Sequence, residues 1–141
     1  MIDTEHRWLS IVLLLTGAAF LLLYPVMTLL PAAWGWEPRQ YEYEQMIQGV
    51  YFVLGIFAII AAMAPLKHLS LIWFIAVSNI VHGGIMLAQA LVDPAETANL
   101  YGDIPALLVT GFLIAWLAPK RLTEPGDDVV ARGLTQPSQA P

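Results

Sequence analysis

The sequence contains no cysteine among its 141 residues. A chain without thiols forms no disulfide, no thiolate metal site, no cysteine nucleophile and no c-type haem attachment. Charged residues are also scarce, at 12% of the chain, where ordinary soluble domains carry about 25%. The six Lys and Arg residues are scattered and form no basic stripe, so nucleic acid is not expected among the partners.

Apolar residues make up 58% of the chain and are concentrated in long runs. A bilayer core of about 30 Å requires about 20 apolar residues in a helix, because unsatisfied backbone groups are not tolerated in lipid. Four runs meet or approach this length, and they predict spans at about 8–30, 44–66, 69–92 and 101–119. The first run is too long for a secretory signal and follows acidic residues, so we expect it to be retained as a helix.

We therefore predict an all-α fold, a four-transmembrane-helix bundle formed by residues 1–119. Residues 120–141 are polar and interrupted by Pro and Gly, which is typical of a solvated tail. An even number of spans places both termini on one side of the membrane. Basic residues are more numerous on that side, by five to one over the single Arg39. This bias predicts cytoplasmic N- and C-termini.

Polar residues recur at helical spacing along the two central spans. On the third span they are Asn79, His82, Met86 and Gln89, and on the second Glu44, Gln48 and Tyr51, followed by Gly55. Such faces on adjacent antiparallel helices are expected to meet, since interhelical hydrogen bonds satisfy them. We predict a ligand pocket open toward the extracytoplasmic side, with its floor at Tyr51, Asn79 and His82 and its mouth at Glu44, Gln89 and Asp103.

Each of these residues also has a purely structural interpretation. His82 would hydrogen-bond Tyr51 or a backbone carbonyl, and Asn79 and Gln48 would hold helices together. Glu44 would stabilise the start of a helix. Gly83 and Gly84, with Gly55 opposite, would be points of close packing or would leave room for a flat ligand beside His82.

Four chemistries remain open for the pocket. A haem or chlorophyll could take His82 as an axial ligand. A copper ion could use His82 and Met86, with Met46 or Met27 nearby, because thioethers suit Cu(I). Proton-coupled transport could use His82 with Glu44. Acid–base chemistry on a lipid or quinone would require a carboxylate within hydrogen-bond reach of His82.

The stretch 43–91 contains three short motifs, Met-x-x-Gly-x-Tyr at 46–51, Pro-x-x-His at 65–68 and Ser-Asn-x-x-His at 78–82. It resembles the middle of an uncharacterised family of small bacterial four-helix membrane proteins, and the general plan is similar in architecture to DoxX-like proteins. The resemblance implies a four-helix fold in a bacterial inner membrane. It supplies no catalytic residues.

No charged pathway or catalytic constellation is evident in the sequence. The leading hypothesis is therefore a non-enzymatic integral membrane protein, an accessory or structural subunit that holds a lipid, quinone, haem or pigment at His82. Its expected partners are membrane lipids and either other membrane subunits or further copies of itself. The alternative is a small membrane enzyme or proton-coupled solute carrier that uses His82 and Glu44.

Overall fold

The computed structural model describes residues 6–30 and 40–120, and within these ranges the chain is helical and contains no strand. The four main helices, in chain order, are α1 (Arg7–Leu29), α2 (Tyr41–Met63), α3 (Leu69–Val92) and α4 (Asp103–Leu117). Two 3₁₀ helices, Pro65–His68 and Pro94–Tyr101, connect α2 to α3 and α3 to α4. The predicted all-α, four-helix architecture is confirmed. The tail beyond residue 120 lies outside the described residues.

Proline accounts for the end of α2. The sequence suggested a span reaching residue 66, whereas α2 ends at Met63 and a 3₁₀ turn begins at Pro65. A residue that precedes proline is sterically disfavoured in the helical region. Ala64 accordingly has φ −148° and ψ 70°.

The fourth apolar segment is bent, and it is either a broken membrane span or a re-entrant loop. Helix α4 has 15 residues, about 22 Å at the usual rise, which is shorter than a bilayer core of about 30 Å. It passes the length and hydropathy criteria of a membrane span only together with Pro94–Tyr101, from which it is bent by 49°. Helices α1 and α2, and α3 with its preceding turn, are each long and apolar enough to cross a membrane.

The bundle consists of two tightly packed antiparallel pairs, α1 with α2 and α3 with α4. At the first crossing, a Cβ on Gly17 would lie 2.8 Å from the Gly55 carbonyl oxygen. At the second crossing, a Cβ on Gly111 would lie 2.9 Å from the Ala76 carbonyl oxygen. Small residues allow this close approach of backbones in membranes. Helices α2 and α3 meet at far fewer positions, so the seam between them is comparatively open.

The expectation that Gly55 lies opposite Gly83 is wrong. Gly55 faces Gly17 on α1, and Gly83 faces Leu107 and Leu108 on α4. Each glycine packs against the partner helix of its own pair, and neither faces the seam between the pairs.

Charge divides the described part of the bundle into two ends. The described Lys and Arg residues all lie at what we call the basic end, namely Arg7, Lys67 and Lys120. The described carboxylates all lie at the opposite, acidic end, namely Glu42, Glu44, Asp93, Glu96 and Asp103. The two pairs are joined near the basic end by a buried apolar cluster from all four helices, which includes Leu13, Ala58, Ile75 and Ile114.

Candidate functional site

Tyr51 and His82 form a hydrogen bond between the phenolic oxygen and Nδ1 across the seam between α2 and α3. Their ring centroids lie 5.9 Å apart. On its other side, the Tyr51 ring makes an edge contact with Phe20 of α1, at a centroid distance of 4.9 Å. Tyr51 therefore links both helix pairs, and its hydrogen bond is the contact between polar faces that helical spacing predicted.

A groove of about 420 Å³ runs along the same seam. Its lining comes from α2 and α3 only, and comprises Ile47, Val50, Tyr51, Val53, Leu54, Phe57, Leu71, Phe74, Ser78 and His82. Three of these ten side chains are polar, Tyr51, Ser78 and His82. The Ser78 hydroxyl donates to the carbonyl of Ile75 at 3.1 Å, within its own helix. The groove is thus apolar along most of its length and polar beside the Tyr51–His82 pair.

The groove opens to the side of the bundle. Several of its walls are strongly exposed, with Val53 at 52%, Phe57 at 49% and Phe74 at 58%. It begins at Ile47, about one turn from Tyr51 on the acidic side, and extends past Tyr51 and His82 toward the basic end, as far as Phe57 and Leu71. The sequence led us to expect a pocket that extends the other way, toward the loops at the acidic end. The groove lies between α2 and α3, which are in contact at few positions.

The seven predicted ligand-binding residues occupy three kinds of environment. Tyr51 and His82 line the groove. Glu44, Gln48 and Asn79 are buried between helices, at 7%, 4% and 2% exposure, and are not part of the groove lining. Met86 is half-buried and Gln89 is exposed, and neither lines the groove. The roles of all seven in ligand binding stay predictions.

Asn79 is one of two buried polar side chains with an unsatisfied atom among the described residues, the other being Ser10. The Nδ2 atom of Asn79 is buried and has no hydrogen-bond partner among the described residues. A buried amide without a partner costs about 1–3 kcal/mol relative to a satisfied one. Asn79 therefore lacks the donor contact expected of a residue that holds helices together.

A comparison with protein families gives one match. Residues 3–133 match a family of unknown function, DUF6632. The chain belongs to this family. No curated protein and no solved structure matches the chain. Membership confirms the resemblance to an uncharacterised family, and the function of this DUF6632 chain has to be argued from its geometry.

Sequence reasoning missed the apolar part of the groove in the DUF6632 chain. Leu71, Phe74 and Ser78 continue the His82 face of α3 at steps of three and four, and Leu54 and Phe57 continue the Tyr51 face of α2 in the same way. The signal was present as periodicity. It was overlooked because most residues of a membrane helix are apolar, so apolar residues that line a groove do not differ in polarity from those that face lipid.

The described residues of the DUF6632 chain contain no group of three or more His, Cys, Asp or Glu side chains that could hold a metal ion. The methionines considered as copper ligands are dispersed. Met46 is 58% exposed and, like Met86, does not line the groove. The geometry therefore offers the hydrogen-bonded pair Tyr51 and His82 beside an apolar groove, an arrangement suited to recognition of a lipid-soluble molecule.

Proposed function

We propose that this DUF6632 chain is a non-enzymatic integral membrane protein, an accessory or structural subunit that holds a lipid-soluble ligand in the groove between α2 and α3. The observation that carries this proposal is the Tyr51–His82 hydrogen bond at the polar end of an otherwise apolar groove. Ligand pockets typically combine such an apolar lining with a few polar groups that fix orientation. Lipid, quinone, haem and pigment are the ligands considered.

The surface of the bundle supports a location within a bilayer. Large apolar side chains are exposed along the helices, for example Leu15 at 66%, Val50 at 67% and Phe74 at 58%. Aromatic side chains are exposed at both ends, with Trp8 and Trp116 at the basic end and Tyr41, Tyr43 and Tyr101 at the acidic end. Aromatic belts of this kind mark the two membrane interfaces.

The charge distribution supports the orientation, with the basic end in the cytoplasm. Arg7, Lys67 and Lys120 lie at this end, in or beside short connections, where positive charge has most influence on topology. We place the protein in a bacterial inner membrane with both termini cytoplasmic. Its partners are membrane lipids and either other membrane subunits or a second copy of the chain.

A non-enzymatic role is favoured by the surroundings of His82. Among the described contacts its hydrogen bond is to the phenol of Tyr51, and the carboxylate that acts on it, that of Asp103, does so through its charge. General acid–base catalysis would require a hydrogen-bonded carboxylate or a substrate proton within about 2.6–3.2 Å. A hydrogen-bonded pair of neutral side chains is better suited to binding than to proton transfer.

The experiment that tests this proposal is purification of the full chain in detergent, followed by an absorption spectrum and by mass spectrometry of the organic extract. We expect a lipid-soluble molecule in a fixed ratio to the protein, and its loss in His82→Ala with the folded protein retained. A pure, monodisperse chain without any bound molecule or protein partner would contradict the proposal.

A second candidate function, a small membrane enzyme or a proton-coupled solute carrier, is favoured by one observation. Glu44, Gln48 and Tyr51 lie one turn apart along one face of α2, and Glu44 and Gln48 are buried. This polar line leads from the acidic end to His82. Proton flux into proteoliposomes, measured with a pH-sensitive dye and lost in Glu44→Gln, would favour the carrier over the accessory subunit.

A further inference from the structure

We infer that the groove between α2 and α3 binds an uncharged lipid that carries a carbonyl on its head and a single long chain, as in a prenylated quinone. This inference rests on the proposed function and selects one chemical class from the ligands considered there. The head would lie at Tyr51 and His82, and the chain would extend along Leu54, Phe57 and Phe74 toward the basic end.

The width of the groove supports a single chain. The groove spans eleven residues of α2, from Ile47 to Phe57, and these ten helical steps correspond to about 15 Å. A volume of about 420 Å³ over this length gives a mean cross-section of about 28 Å². A helix with side chains is about 10–12 Å in diameter and has a cross-section of about 80–110 Å². The enclosed part of the groove therefore matches a single chain, whereas a partner helix or a broad macrocycle would have to lie across its open side.

The depth of the polar end supports an uncharged head. Tyr51 is the eleventh of 23 residues in α2, and His82 is the fourteenth of 24 in α3, so both lie near the middle of their helices. His82 is ten residues from the end of α3 at Val92, about 15 Å, in a bilayer core of about 30 Å. A phospholipid bound here would bring its charged headgroup toward the bilayer centre, which is strongly unfavourable. A quinone head carries no charge and avoids this cost.

The hydrogen-bond inventory supports a carbonyl on that head. A neutral imidazole has one donor nitrogen and one acceptor nitrogen. If the Tyr51 hydroxyl donates to Nδ1, a single donor remains, the N–H at Nε2 of His82. If Nδ1–H donated to Tyr51 instead, both the phenolic hydrogen and the Nε2 lone pair would remain unsatisfied. Because unsatisfied groups are costly in lipid, the first arrangement is preferred, and Nε2–H can then donate to a ligand carbonyl.

The experiment compares two probes on the full chain in phosphatidylcholine nanodiscs, decylubiquinone and oleoyl lysophosphatidylcholine. Nanodiscs are captured through the protein, and the retained probe is quantified by chromatography after subtraction of protein-free discs. Val53→Trp fills the groove from its exposed wall. Val81→Trp is the matched control, because Val81 is 53% exposed against 52% for Val53 and does not line the groove.

We expect saturable retention of decylubiquinone by the native chain and by Val81→Trp, and affinity at least tenfold weaker in Val53→Trp. His82→Ala should weaken binding about tenfold, the effect of losing one hydrogen bond in apolar surroundings. The quinone assignment would be overturned if the lysophospholipid were retained as well as the quinone and if Val53→Trp reduced that retention. The proposed function would still stand in that case. If neither probe shows retention sensitive to Val53→Trp, both the assignment and the groove as a binding site fail.

Discussion

Gly17 and Gly55 bring α1 and α2 so close together that a methyl group added to either residue would lie 2.8 Å from the backbone oxygen of the other. Gly111 and Ala76 produce a similar approach between α3 and α4, at 2.9 Å. Since no hydrophobic force drives helices together in lipid, such contacts decide which helices pair. The two tight crossings define two pairs, and the looser seam between α2 and α3 is where the groove forms.

Gly55→Ala should destabilise the bundle by about 1–3 kcal/mol, the range for overpacking of a tight interface. The added methyl would meet the Gly17 backbone oxygen, which can move only if the helices separate. Thermal unfolding in detergent, followed by circular dichroism at the helical band, measures the effect.

Gly49→Ala is the matched control on the same helix. Apart from the adjacent residues and the backbone of its own helix, no described atom lies within 4 Å of a Cβ at Gly49, and alanine is the better helix former. We expect its unfolding temperature to equal or slightly exceed that of the native chain. Equal losses of stability in Gly55→Ala and Gly49→Ala would show that the crossing at Gly17 and Gly55 is not as tight as described.

The hydrogen bond between Tyr51 and His82 should appear as energetic coupling in a double-mutant cycle. Tyr51→Phe removes the hydroxyl and keeps the ring that contacts Phe20, while His82→Leu removes the imidazole. We expect each single change to lower the free energy of unfolding by about 0.5–1.5 kcal/mol. The free energy of unfolding of the double variant should fall by less than the sum of the two single losses, and the difference should be about 0.5–1.5 kcal/mol.

The same cycle has an outcome that would count against the site. Strict additivity of the two changes, measured under the same unfolding conditions, would mean that Tyr51 and His82 do not interact. The link between the two helix pairs would then depend on the buried apolar cluster near the basic end alone.

Hydropathy was sufficient to predict the all-α class and four apolar helices, of which α4 meets the criteria of a membrane span only together with Pro94–Tyr101. Helical spacing also predicted that Tyr51 and His82 meet, since both lie near the middle of antiparallel neighbours. The partners of the glycines could not be predicted, because a glycine carries no side chain that distinguishes one neighbouring helix from another. Gly55 was assigned to the wrong neighbour for this reason.

The direction of the groove could not be predicted either. Polar residues near the acidic end suggested a pocket there, yet Gln48 and Asn79 are buried between helices. Periodicity states which residues share a face, and it does not state whether two facing helices touch or diverge. That distinction depends on how closely each helix approaches its other neighbour, which is a property of the whole bundle.

Asn79→Leu should leave the stability of the bundle unchanged or raise it by up to about 1 kcal/mol. The Asn79 side chain is 2% exposed, and its Nδ2 atom has no hydrogen-bond partner among the described residues. Replacing an unsatisfied amide by an apolar group of similar shape removes a desolvation penalty. The unfolding temperature of the purified variant is the measurement, with Asn79→Asp as a comparison that keeps the shape and adds charge.

A loss of more than about 1 kcal/mol in the free energy of unfolding of Asn79→Leu would contradict this expectation. It would indicate that Asn79 holds helices together, as the sequence suggested, with an energy typical of hydrogen bonds in membranes. Ligand retention in the same variant should stay near that of the native chain, because Asn79 does not line the groove.

The absence of cysteine from the chain allows its orientation to be tested with single introduced thiols. Lys67→Cys lies in the exposed turn at the basic end, and Thr97→Cys lies on the exposed 3₁₀ helix at the acidic end. If the basic end is cytoplasmic, a membrane-impermeant maleimide should label Thr97→Cys in intact bacterial cells and Lys67→Cys only after lysis. The remaining basic residues keep the charge bias in the Lys67 variant, so the substitution itself should not invert the protein.

Labelling of Lys67→Cys in intact cells, with Thr97→Cys protected until lysis, would show that the orientation is the opposite of the one proposed. The groove would then extend from the bilayer centre toward the extracytoplasmic side.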